Sequence, residues 1–170
     1  MGASLDGLVD ELRDAARELD AAVSRAGISG RFTSTYRSRA EQERLYRAYL
    51  AGRNPFPVAP PGFSAHEYGE AFDYLVSPAQ YQTDVGETWV DWGGEWGGAA
   101  DMVHFELPGA SARAIARGQA QSSDSSIAKY FDWLSIFFPA RAAEFDPRKQ
   151  AAFTQCMIRS ANPSECKKYL

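Results

Sequence analysis

The chain has 170 residues, of which 45% are hydrophobic and 24% charged, enough for one domain with a true core and an appendage but short for two full domains. A net charge of −4 leaves no basic footprint for nucleic acid or anionic lipid, so neither is expected as a partner. No stretch approaches the roughly 20 apolar residues of a membrane-spanning helix, and Met1-Gly2-Ala3-Ser4-Leu5-Asp6 lacks the basic and apolar regions of a secretory signal. Synthesis in the cytoplasm without that export route is the resulting expectation.

From Ser4 to Arg25, Leu5, Leu8, Leu12, Ala15, Leu19 and Val23 recur at helical spacing, which predicts an amphipathic helix capped by Ser4 or Asp6 and ended by Gly27 and Gly30. A short strand is expected over Arg31 to Tyr36, then a helix from Arg39 to Ala51 with Leu45, Ala48 and Tyr49 inward. Four prolines and two glycines between Gly52 and Phe63 exclude helix and central strand. Further strands are expected at Ala71 to Val76 and Val103 to Leu107, with Trp89 to Gly98 as turns around aromatic anchors. The fold class is therefore α+β.

Residues 118–126, Gly-Gln-Ala-Gln-Ser-Ser-Asp-Ser-Ser, read as a polar linker between a domain over 1–117 and a helical appendage over 127–170. Helices are expected there at Ile127 to Phe138 and Pro147 to Ser160, the first carrying aromatics that fit packing on the main domain better than a partner- or wall-binding surface. Cys156 and Cys166 would pair only in an oxidising compartment.

The two histidines of the chain, His66 and His104, each stand among acidic residues. His66 and Asp73 are seven apart. A helix would hold their Cα atoms about 10 Å apart, and a straight strand would send them to opposite faces. Sharing one ion thus requires a turn between them, which Gly69 can make. In the second cluster, Asp101-Met102-Val103-His104-Phe105-Glu106, a strand puts His104 and Glu106 on one face, with Asp101 in the loop before it. Two imidazoles and one carboxylate leave a fourth zinc position open, the catalytic arrangement. Asp101 fits a general base, and Glu106 fits an orienting role better than a ligand's.

Ser64-x-His66-x-x-Gly69-x-Ala71-x-Asp73 with Asp101-x-x-His104-Phe105-Glu106 resembles the paired signature of the M15 (LAS) peptidases, D-Ala-D-Ala carboxypeptidases and phage L-alanyl-D-glutamate endopeptidases among them. Ser34-Thr35-Tyr36-Arg37-Ser38 with Gln42 extends the likeness, which covers roughly residues 20 to 110. The resemblance implies a small LAS or hedgehog-type domain, an antiparallel sheet flanked by helices. It implies Zn2+ on His66, Asp73 and His104, catalysis by Asp101 with Arg37 steadying a carbonyl oxygen or substrate carboxylate, and peptidoglycan as substrate. Gln42 and Trp96 are expected to touch substrate; Ser64 either does so or caps a turn. Asp rather than Glu at position 101, with Trp92-Gly93-Gly94-Glu95-Trp96 upstream, is similar to the endopeptidase branch. That implies a lysin delivered through a holin or within a virion. The rivals are a D-Ala-D-Ala carboxypeptidase or dipeptidase and a zinc-stabilised binding module without turnover.

Overall fold

The computed structural model describes residues 2–121; the expected linker beyond 121, the two C-terminal helices and the cysteine pair lie outside the described residues. Among the described residues two compact units emerge, one holding residues up to Arg39 and Ala65–Ala110, the other residues 40–64 and 111–121. In the first, α1 (Asp10–Arg25), β1 (Ser29–Ser34), β2 (Ala71–Ser77), α3 (Gln82–Asp91), β3 (Glu95–Gly97) and β4 (Asp101–Glu106) form a four-stranded antiparallel sheet, order β1-β2-β4-β3, with two helices. The second contains α2 from Ala40 onward (the helix spans Arg39–Leu50) and all of α4 (Ala110–Gln121) but its first residue.

Register decides which side chains meet. Phe72 pairs with Phe105 and Asp73 with His104, so adjacent residues serve opposite faces. On one face Phe72 and Phe105 stack at 5.4 Å, and Phe32, Tyr74 and Trp89 meet Phe72 edge-on or at close range around them. Leu8, Leu12, Ala16, Leu19 and Val23 complete this core with Val85 of α3. Each large side chain buried there contributes about 1.5–3 kcal/mol. The other face carries Asp73, His104 and Glu106.

The first helix is shorter than its apolar stripe. It begins at Asp10 after an uncapped Val9, because Ser4 and Asp6 bond each other in a preceding turn. Gly27 does end it, with Gly27 N–H on Ser24 O and Ile28 N–H on Val23 O, whereas Gly30 lies inside β1 beneath the Tyr74 hydroxyl. The segment expected as turns, Trp89 to Gly98, holds the end of a helix not foreseen, α3, a turn at Gly93, and then β3. Gly86 and two threonines weaken the α3 signal, yet Gly86 is required there because the Trp96 ring packs where its Cβ would be. Gly93, at φ +93°, closes α3 with the same pair of bonds that closes α1: Gly93 N–H to Val90 O and Gly94 N–H to Trp89 O.

In the second unit, residues 118–121, expected as the start of a linker, form the last turn of α4. Gly118 is there a packing residue, its bare Cα against the Phe63 ring and the Gly62 carbonyl. Gln42 is wholly buried and donates from Nε2 to Ala59 O at 2.6 Å, tying α2 to the proline-rich loop. The residue expected to touch substrate is thus placed as a buried tie between helix and loop.

Candidate metal centre and active site

Three segments of the first unit meet on the open sheet face. The first is the end of β1. Its pairing with β2 slips between Phe32 and Ser34, so that Phe32 opposes Tyr74 and Ser34 opposes Asp73. This bulge at Thr33 turns Ser34 toward the acid, and Ser34 Oγ accepts from the Arg37 guanidinium at 2.9 Å. The same guanidinium stands 3.7 Å from Asp73 Oδ2. Arg37 N–H also donates to His66 O, joining this segment to the second.

The second segment is the turn carrying His66. Ala65–Tyr68 is a single 3-10 turn, and Gly69 at φ +69° sends the chain into β2, so His66 and Asp73 come together as the spacing required. His66 is buried. Its Nδ1 lies 2.7 Å from Thr35 O, an atom that can only accept, so Nδ1 carries a proton and Nε2 is the nitrogen left to face the site. That Nε2 is 3.3 Å from Asp73 Oδ1.

β4 is the third. His104 sits opposite Asp73 with Nδ1 at 3.4 Å from Oδ1, while its Nε2 donates to the Glu106 carboxylate at 3.0 Å. The two imidazoles thus present opposite nitrogens inward, each fixed by a partner on its outer one. Burial alone would raise the Asp73 pKa, but the charges and hydrogen bonds of His66 and His104 outweigh it and hold the carboxyl well below the usual range. For His104 burial acts downward, and the bonds to Asp73 and Glu106 override it, pushing the imidazole up to about 10.

His66, Asp73 and His104 each offer a donor atom within 4.8 Å of the others. Zinc bonds of about 2.0–2.2 Å in a tetrahedron put neighbouring donors about 3.3–3.6 Å apart. The inner separations, 3.3 and 3.4 Å, match that edge and are long for a charge-assisted hydrogen bond of about 2.7–2.9 Å. The donor set therefore fits a metal ion.

Asp101 is the first residue of β4, paired with Gly97, instead of lying in the loop before it as expected. Its side chain accepts from Val103 N–H. Burial of its carboxyl, with help from the Asp73 charge, raises its pKa against the pull of His104 and His66, although the residue's outer surface is exposed. Trp96 is corrected by the register. It pairs with Phe105, so its ring lies on the core face, over Gly86, and its Nε1 donates to Met102 O at 2.8 Å. Of the Trp-Gly-Gly-Glu-Trp run, Glu95 shares the site face, opposite Glu106. Ser64 is buried and is the last residue of the 40–64 segment of the second unit. Sequence reading missed Thr35, whose backbone carbonyl fixes His66; no side-chain pattern announces a carbonyl.

The α+β fold thus gathers two histidines, two aspartates and an arginine from β1's end, the 3-10 turn, β2 and β4. A family model described as VanY, D-alanyl-D-alanine carboxypeptidase, matches residues 6–108, and the chain belongs to that family. It is a peptidoglycan peptidase of the VanY type. Solved structures similar to it include an L,D-carboxypeptidase, DacB, from Streptococcus pneumonia, at 22% identity and TM-score 0.47 over 72% of this chain and 79% of that one. Another is the LdcB LD-carboxypeptidase, at 19% identity and TM-score 0.49 over 78% of this chain and 72% of that one. No curated protein matches. No helix among the described residues is long and apolar enough to cross a membrane.

Proposed function

We propose that this chain is a zinc-dependent endopeptidase that hydrolyses peptidoglycan stem peptides between L-alanine and D-glutamate. One contrast carries the zinc reading: the outer ring nitrogens make contacts of 2.7 and 3.0 Å, while the inner ones stand off Asp73 by the edge length of a zinc tetrahedron. Bound there, zinc supplies a Lewis acid and lowers the pKa of water toward about 7. Asp101 accepts the proton of the attacking water and returns it to the departing amine. Arg37, held by Ser34 beside Asp73, offers a fixed cation to the developing oxyanion or to a substrate carboxylate. Ser64, two residues before His66, either caps the turn or contacts substrate.

The endopeptidase assignment is supported by the shorter acid at position 101 and the Trp92 to Trp96 run. The family match favours a second reading, removal of a terminal D-alanine. Digestion of purified muropeptides, with and without chelator, separates them by mass: a new D-Glu amine with L-Ala left on muramic acid supports the first, loss of one D-Ala the second. Turnover that persists in chelator, with no metal in the purified protein, rejects both. The same likeness supports action as a lysin released through a holin or carried in a virion. Lysis of an expressing bacterium only when a holin is co-expressed is the expected result.

A further inference from the structure

We propose that Gln82 is a positioning residue for this reaction: its buried side-chain amide holds β2 and β4 apart just beyond the Asp73 and His104 pair and thereby sets where Asp101 stands. The proposal rests on Asp101 being the base. The two strands pair over Ala71 with Glu106, Phe72 with Phe105 and Asp73 with His104, and the register ends there. Three bonds of one amide follow. Gln82 Oε1 accepts from Val76 N–H at 3.0 Å, and its Nε2 donates to Tyr74 O and Met102 O, each at 3.0 Å. The residue is 4% exposed.

The fork has a geometric purpose. Asp101 lies three residues from His104, an odd offset that in an unbroken strand faces the opposite side. Continuing the ladder would set Asp101 against Val76, whose side chain is in the core. On the other edge β4 also leaves regular pairing, since the register slips from Trp96 opposite Phe105 to Gly97 opposite Asp101. Released on both sides, Met102 O is claimed by Gln82 and by Trp96 Nε1. The amide thus replaces the missing rungs while the limb bearing Asp101 turns toward the histidines, whose charges reach its carboxyl.

The test uses zinc-loaded full chain carrying Gln82→Met, which removes all three bonds, and Gln82→Glu, which keeps only the acceptor for Val76. Zinc content, the cobalt(II) absorption spectrum, KM and kcat on muropeptide are measured for each, and again with Asp101→Ala. For whichever variant folds, the expected result is one zinc per chain, an unchanged cobalt spectrum, KM nearly unchanged and kcat down by about tenfold or more. In the Asp101→Ala background the Gln82 change is expected to cost nothing further. Unchanged kcat per zinc, an altered cobalt spectrum, or a loss that multiplies with that of Asp101→Ala overturns the proposal, and the last leaves the base assignment standing. Near-normal turnover by Asp101→Ala alone sinks the base assignment itself, and the positioning role with it.

Discussion

The opposite tautomers of the two histidines are enforced one atom at a time. Thr35 O and Glu106 Oε2 each require a proton on the nitrogen they face, leaving Nε2 of His66 and Nδ1 of His104 for a metal. Removing Glu106 by Glu106→Ala is expected to weaken zinc binding by about 10- to 100-fold, while Glu106→Gln, which can still accept through Oε1, recovers most of it. Competition with a chromophoric chelator measures both, and equal losses in the two variants would count against tautomer control. The metal-free protein has its own pH signature. The His104 pKa is raised above its unfolded value, so its contribution to stability is full below about pH 6.5 and fades as pH rises toward about 10. That of Asp73 is depressed, so its contribution is present above about pH 4 and is lost in acid. Thermal melts in chelator are therefore expected to show greatest stability between these limits, with a fall toward pH 10 that zinc removes. A flat alkaline side in chelator would reject the pairing.

Among the elements, the link between His66 and β2 tolerates least change. Gly69 combines a left-handed backbone with a position where a Cβ would lie 2.5 Å from Gly7 O. The conformational cost alone is about 1–2 kcal/mol, and the clash is with backbone, which cannot rotate away. Gly69→Ala is expected to lose more than about 2 kcal/mol of stability and to weaken zinc binding, since the glycine sits between two ligands. Denaturant melts and zinc titration check it; a variant of native stability would mean the loop has another conformation open to it. The turn was legible because a seven-residue offset fits neither regular element. α3 was not. Its apolar positions are interrupted by Gly86, chosen for the Trp96 ring against the helix preference, so packing overruled propensity.

For the whole chain, the family match ends at residue 108, and every candidate site residue precedes that point. A chain ended at Gln121 is expected to bind one zinc and to turn over soluble muropeptide at a rate close to that of the full chain. Loss of turnover from a folded, zinc-loaded product would assign residues 122–170 a part in the reaction.

The sequence by itself pointed to the candidate chemistry: both histidines fall into spaced motifs with acids, and for His66 and Asp73 to share one ion that spacing requires a turn between them. It also determined the α+β class, because apolar periodicity is a local property of the chain. The partners that aim those groups were decided by tertiary structure. Register turned Trp96 toward the core face and Glu95 to the site face, a bulge brought Ser34 to Arg37, and a glutamine with no motif around it came to fill the fork between two strands. Backbone carbonyls and strand gaps have no identity in a list of side chains, and exist only once distant segments have been brought together.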